Sequence, residues 1–253
     1  VFLFLSSCSN DELLSNNIGG AEKIVFNLPK FEYHGNSDKT RTMLDVEAIG
    51  TTWSREHEEK IGVFPADNAS GIQLPFTISS TAVSDISGGT SVFCPYNGDW
   101  ELKNGTSYIA YFPYNSSLSS TKRLYVNLRS KAIVSNKNIG SVDISGFDVM
   151  YAERTEYKSG IIFDFTRKYG LLNIRISNIP YKTWKKIKIS TVSGSTLAVS
   201  GYLDLTTGKY QSITKSSYYT IYQGEGIQGS ILNIMFPLLQ CTTGDLICTL
   251  DAT

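Results

Sequence analysis

Trp184-Lys185-Lys186-Ile187-Lys188-Ile189-Ser190-Thr191-Val192 is the stretch whose reading decides the fold. Ile187, Ile189 and Thr191 alternate with lysine and serine, so one side is apolar or β-branched and the other is polar. A period of two describes a half-buried strand and excludes a helix, whose apolar positions recur every three or four residues. The same reading extends outward through this half of the chain. Strands are expected at 161–165 (IIFDF), 171–176 (LLNIRI), 197–205, 218–222 and 231–236. Tyr202-Leu203-Asp204-Leu205-Thr206-Thr207-Gly208 reads as a strand running into a turn.

Toward the N-terminus the pattern repeats. Lys23-Ile24-Val25-Phe26-Asn27-Leu28 is strand-like and is stopped by Pro29. Further strands are expected at 60–64 (KIGVF), 74–79 (LPFTIS), 90–94 (TSVFC), 107–112 (SYIAYF), 124–128 (LYVNL) and 147–152 (FDVMYA), separated by short Gly, Asn, Ser and Asp clusters. No stretch has convincing helical periodicity. The fold class is therefore all-β, with strand spacing that suggests β-sandwiches. The most polar interruption, Glu153-Arg154-Thr155-Glu156-Tyr157-Lys158-Ser159-Gly160, is read as a domain boundary. It divides the chain into 1–22 (leader remnant and tether), a sandwich over 23–155 and a second over 156–253. The second is expected to be incomplete, because Leu250-Asp251-Ala252-Thr253 falls within a strand-turn pattern.

Composition narrows the partners. Across 253 residues, 23 Lys and Arg balance 23 Asp and Glu, which argues against nucleic acid as a ligand. Fifteen Tyr and twelve Phe beside only 18% charged residues suit an exported β-protein. Apart from Cys8 there are three cysteines, Cys94, Cys241 and Cys248. The last two flank a Thr-Thr-Gly-Asp turn and could approach on a hairpin. A tip at Thr243-Gly244 would set Cys241 against Leu246, so unpaired thiols are expected.

The N-terminal residues Val1-Phe2-Leu3-Phe4-Leu5-Ser6-Ser7-Cys8 look like the end of an export signal. Leu5-Ser6-Ser7-Cys8 resembles the lipobox of bacterial lipoproteins, in which a thiol is needed to carry diacylglycerol. Each acyl CH2 buried in a bilayer contributes roughly 0.8 kcal/mol, so two or three chains anchor a protein stably. A buried N-terminal strand with an incidental cysteine is the competing reading. No stretch approaches the 18 or so apolar residues that a membrane-spanning helix requires.

Motifs for catalysis are absent. His34 and His57 are the two histidines, and there is no GxSxG elbow, P-loop or GxGxxG. His57, in Arg55-Glu56-His57-Glu58-Glu59-Lys60, lacks the second histidine of a zinc-binding helix and reads as a solvated turn. Asp67-Asn68 and Asn97-Gly98-Asp99 could hold calcium, but turns use the same residues. Nothing selects a carboxylate pair. The expectation is a non-enzyme without cofactor or metal.

Several segments, in this order, resemble the fimbrillin-like proteins of Bacteroidales, subunits of type V pili. They are the lipobox at Cys8, Lys39-Thr40-Arg41-Thr42 followed by Trp53, then 60–64, Tyr108-Ile109-Ala110-Tyr111-Phe112-Pro113-Tyr114, and 147–152. Phe163-Asp164-Phe165 with Leu171-Leu172-Asn173-Ile174 completes the series. Order and spacing carry the similarity, which spans most of 8–253. One departure is Arg167-Lys168, where family members often have a histidine.

The resemblance implies two transthyretin-like sandwiches, export as an outer-membrane lipoprotein, and assembly into fimbriae by strand exchange. The removable strand would be 23–28, with Ile24, Phe26 and Leu28 on one face. Lys39 and Arg41 would offer a processing site to a trypsin-like or arginine-specific protease, unless they are ordinary loop residues. Partners would be other pilus subunits, the membrane through Cys8, and a host or bacterial surface ligand. The competing expectation is a surface glycan-binding lipoprotein, resting on Trp53, Trp100, Trp184 and the tyrosines, since sugar faces stack on aromatic rings.

Overall fold

Regular structure in the computed structural model is all β. It describes residues 3–5, 21–27, 43–45, 50–52, 60–67, 73–78, 93–95, 103, 105–118, 122–137, 139, 141–143, 146–156, 165–192, 196–239 and 245–252. Among these, the first seven strands are β1 (Leu3–Leu5), β2 (Ala21–Asn27), β3 (Met43–Asp45), β4 (Gly50–Thr52), β5 (Lys60–Pro65), β6 (Leu74–Ile78) and β7 (Phe93–Pro95). Next come β8 (Ser107–Phe112), β9 (Arg123–Asn127), β10 (Ile133–Ser135), β11 (Ser141–Asp143), β12 (Met150–Glu156) and β13 (Phe165–Arg167). The remainder are β14 (Tyr169–Ile176), β15 (Lys182–Thr191), β16 (Leu197–Asp204), β17 (Lys209–Ser216), β18 (Tyr218–Gly229), β19 (Leu232–Leu239) and β20 (Asp245–Asp251). Pairing is antiparallel throughout, except between β1 and β14.

A six-stranded sheet, ordered β13-β12-β8-β5-β6-β7, organises the first part of the chain. Its residues alternate between two cores. Ile61, Val63, Tyr108, Ala110, Phe112, Met150 and Ala152 are buried with Leu74 and Phe76 on one side. Phe64, Ile109, Tyr111 and Tyr151 belong to a larger core on the other. Burial on both faces explains why these strands read as nearly unbroken apolar runs. Gly62 is forced by its partner: directly opposite lies Tyr111, and a Cβ on Gly62 would sit 2.1 Å from the tyrosine ring.

The larger core joins that sheet to three others, ordered β1-β14-β19-β10, β18-β15-β20-β2 and β17-β16-β9. Strand pairing therefore crosses the polar stretch at 153–160. β9 and β10, from before it, pair with β16 and β19, from after it. β12 itself runs into the stretch as far as Glu156 and pairs with β13 beyond it. The partition into 23–155 and 156–253 is thus not the partition of the sheets. Polarity at 153–156 marks exposed strand residues: Glu153, Arg154 and Glu156 all face solvent.

Other expectations shift by a few residues. The strand expected at 23–28 begins at Ala21 and ends at Asn27, which takes the end of the tether into the sheet. The strand expected at 147–152 starts only at Met150, because Phe147 to Val149 form a tight turn closed by Val149 N–H to the Phe147 carbonyl, 2.9 Å. The 90–94 strand is found at Phe93–Pro95. β19 and β20 lie in different sheets and do not pair with each other as a hairpin, and Cys241 lies outside the described residues.

Candidate functional site

The expected removable strand occupies an edge. Among the described residues β2 pairs only with β20 in its sheet, in the register Ala21↔Asp251 through Asn27↔Asp245. Ile24 stands opposite Cys248 and Phe26 opposite Leu246; Leu28 lies outside the described residues. On β20, Leu246, Cys248 and Leu250 are fully buried while Ile247 and Thr249 are half-buried. An edge strand is held by one ladder of main-chain hydrogen bonds and can leave without breaking a second. Its departure would bare seven residues of β20.

Cys248 reports on that edge. Its thiol is free and buried, and burial pushes its pKa up to about 12. A thiol so far above neutral pH is chemically inert while the strand stays in place. Cys94 is placed by its backbone in β7, opposite Thr77.

A second N-terminal segment also holds an edge. Leu3–Leu5, expected at the end of an export signal, pairs in parallel with Leu172–Ile174 on the border of its sheet. This is the arrangement that the competing reading, an N-terminal strand, describes. Cys8, Lys39 and Arg41 lie outside the described residues, as do His34, His57, Trp53 and Trp100.

Where the chain passes from β12 into β13 and β14, a charged cluster is buried that no motif announced. Asp148 is fully buried, and Arg167 reaches it with Nε 2.9 Å from Oδ1 and Nη2 3.3 Å from Oδ2. The Tyr169 hydroxyl donates to the same Oδ1 at 3.0 Å. Burial raises the pKa of Asp148, against the pull of Arg167 and Tyr169. Burial also works against the charge on Arg167, but the Asp148 carboxylate outweighs it and raises the guanidinium above its usual range. With every carboxylate oxygen bonded, the group forms a structural clasp. Arg167, the departure from the fimbrillin-like pattern, is thereby explained by its partner.

Two expected ligand groups are committed elsewhere. Trp184 is fully buried, with its indole N–H 3.0 Å from the Gly229 carbonyl, so it cannot stack on a sugar. Asp67, considered for calcium, holds Arg154 at 2.5 Å. Among the described residues no three His, Cys, Asp or Glu side chains cluster to hold a metal.

Large aromatic surface remains on the sheet β17-β16-β9. Tyr125 and Tyr202 stand opposite each other, 54% and 41% exposed, with ring centroids 5.1 Å apart. Their exposure follows from alternation: Leu124, Val126 and Leu203 point into the core, so Tyr125 and Tyr202 point out.

Similarity to known proteins is distant. A candidate cell adhesion protein from Bacteroides uniformis aligns over 74% of this chain and 70% of its own, at 17% identity and a TM-score of 0.47. Another from Bacteroides ovatus aligns over 71% of this chain and 68% of its own, at 17% identity and a TM-score of 0.40. No family model matches the chain, and no curated protein is significantly similar to it.

Proposed function

We propose that this chain is a fimbrillin-like subunit of a cell-surface pilus, exported as a lipoprotein on Cys8 and acting in adhesion without catalysis. One observation carries the reading: Ala21–Asn27 is an edge strand lying between a lipobox-like Cys8 and a basic loop at Lys39 and Arg41. These three features are consecutive, so a single cut after Arg41 would release tether and strand together. The bared edge of β20 would then accept a strand from the next subunit, through main-chain hydrogen bonds with alternate side chains setting register. The lipid on Cys8 holds the subunit at the outer membrane until that cut. Other pilus subunits are the partners, and adhesion to a host or bacterial surface is the role of the polymer.

N-terminal sequencing of assembled filaments tests this directly, and the chain should begin near Thr42. A filament whose subunits still begin at Cys8 would rule the mechanism out. Solution chemistry gives a second readout. After limited cleavage at Arg41 and removal of the released peptide, maleimide labelling of Cys248, mapped by mass spectrometry, should accelerate markedly. Equal labelling before and after cleavage would mean that β2 does not cover this edge. Cys8→Ser should move the precursor from the membrane to the soluble fraction, and its retention in membranes would count against the anchor.

A further inference from the structure

We infer that the outer face of the sheet β17-β16-β9 is a binding site for a neutral carbohydrate, centred on Tyr125 and Tyr202. This site is separate from the β2 edge and does not depend on polymerisation.

The tyrosine rings provide the apolar part of such a site. They pair across adjacent strands with centroids 5.1 Å apart and planes tilted by 48°, forming an exposed pair of rings in tilted contact. A pyranose presents polarised C–H groups on its faces, which suit the negative face of an aromatic ring. Neither hydroxyl, Tyr125 Oη nor Tyr202 Oη, has a partner among the described residues, so both can meet sugar hydroxyls.

The polar rim is already positioned. Gln211, opposite Tyr202, donates its amide to Asp204 Oδ2 at 2.7 Å, which leaves its carbonyl oxygen as an acceptor. Asp204 is fixed in turn by Thr206, whose backbone N–H and hydroxyl both donate to Oδ1, at 2.8 and 2.6 Å. Asn127, next on the same side of β9 as Tyr125, accepts from Arg129 N–H at 3.1 Å through Oδ1 and keeps its NH2 as a donor. Donors and acceptors held in place cost less entropy on binding than free surface side chains.

Charge and shape specify the class of ligand. Arg123 and Lys209 stand on either side of Asp204 in the register, so the charges gather in the row next to the tyrosines. The row at the centre, Tyr125, Tyr202 and Gln211, carries no charge, which suits an uncharged ligand held by stacking and hydroxyl hydrogen bonds. Beside Tyr125, along the edge of β9, lies a largely apolar cleft of about 190 Å³, with Tyr125, Asn127 and Phe147 in its lining beside the aliphatic Leu124, Val126 and Leu128. It has space for roughly six water molecules, or one sugar ring. A glycan would stack on the tyrosines and set one residue into the cleft.

The whole chain should be tested on an array of neutral oligosaccharides, then by affinity electrophoresis in gels of mannan, xylan and glucan, with pectate as the acidic control. Binding to at least one neutral glycan is expected. Tyr125→Ala and Tyr202→Ala should each weaken it by about tenfold, whereas Tyr202→Phe keeps the ring and most of the affinity. Tyr202→Thr, which retains strand propensity, provides the same test if an alanine variant unfolds. Three results would overturn the inference: no neutral glycan bound, affinity unchanged in the ring-deleting variants, or tighter retention in pectate. A dimer lost on Tyr125→Ala would also overturn it, by showing that a second copy of the chain occupies this face.

Discussion

The sheet β13-β12-β8-β5-β6-β7 and the sheet β18-β15-β20-β2 are both antiparallel, yet they use their faces differently. In the first, successive residues of β8 feed opposite cores, and Tyr108 to Phe112 are all buried. In the second, β15 buries Trp184, Ile187 and Ile189 while Lys182, Lys185 and Lys186 face solvent. A strand buried twice has no free surface to give to a partner and acts as scaffold. A strand buried once keeps an outer face, and its sheet ends in the short chain segment β2. Surface functions therefore belong to the one-sided sheets.

The sharpest way to break that comparison is to open the doubly buried sheet. Tyr111→Ala should cost about 4 kcal/mol, the range for deleting a large buried aromatic ring. The loss includes its hydrogen bond to Gln73 and its packing over Gly62. Gly62→Ala alone should cost about 2 kcal/mol by overpacking against the ring. In the double variant the new methyl occupies space the ring has left, so urea unfolding should show a combined loss well below the sum. Additive losses would mean that ring and glycine do not share that space.

Breaking the buried clasp of Asp148, Arg167 and Tyr169, at the end of the doubly buried sheet, should rank next. Arg167→Met leaves the Asp148 carboxylate buried without its cation and should cost about 3 kcal/mol at neutral pH. The pH dependence has a definite sign. Asp148 already has its pKa raised by burial, and losing Arg167 raises it further. An acid whose folded pKa lies above its unfolded value is most stabilising below the unfolded value, and loses that contribution as pH rises through the folded one. The variant should therefore recover stability relative to the parent as pH falls from 7 toward 5. Denaturant midpoints across that interval provide the check, and a constant difference would mean that Asp148 does not titrate there.

How legible each region was follows from the same contrast. Runs such as Lys60–Phe64 and Ser107–Phe112 announced strands because burial on both faces demands apolar residues at every position. β17, Lys-Tyr-Gln-Ser-Ile-Thr-Lys-Ser, was missed because its mostly half-buried and exposed residues leave no apolar face to read. β2 was legible as a strand through Ile24 and Phe26, but its place in the sheet order was not, since that order depends on contacts more than two hundred residues apart. Asp148 and Arg167 were opaque for the same reason: pairing across the 153–160 stretch turns two ordinary charges into one buried group. Trp184 as core and Trp184 as glycan platform were not separable from sequence, because exposure is a property of the face. Tyr125 and Tyr202 were simply two of fifteen tyrosines until register set them opposite each other.

The smallest effect tests the one-sided reading at its most demanding point. Trp184 and Ile187 are three residues apart, so strict alternation would place them on opposite faces, yet both are fully buried. The register shifts between Trp184 and Lys186, where β18 bulges so that Gly224, Glu225 and Gly226 stand against Lys185 alone, and Lys185 and Lys186 are both exposed. If the bulge is as described, Lys186→Ala should change stability by less than about 0.5 kcal/mol. Its neighbour provides the contrast, since Ile187→Ala should cost about 3 kcal/mol. Were Lys186→Ala to cost as much as its neighbour, β15 would be buried on both faces, and the distinction between scaffold and surface sheets would fail at its defining strand.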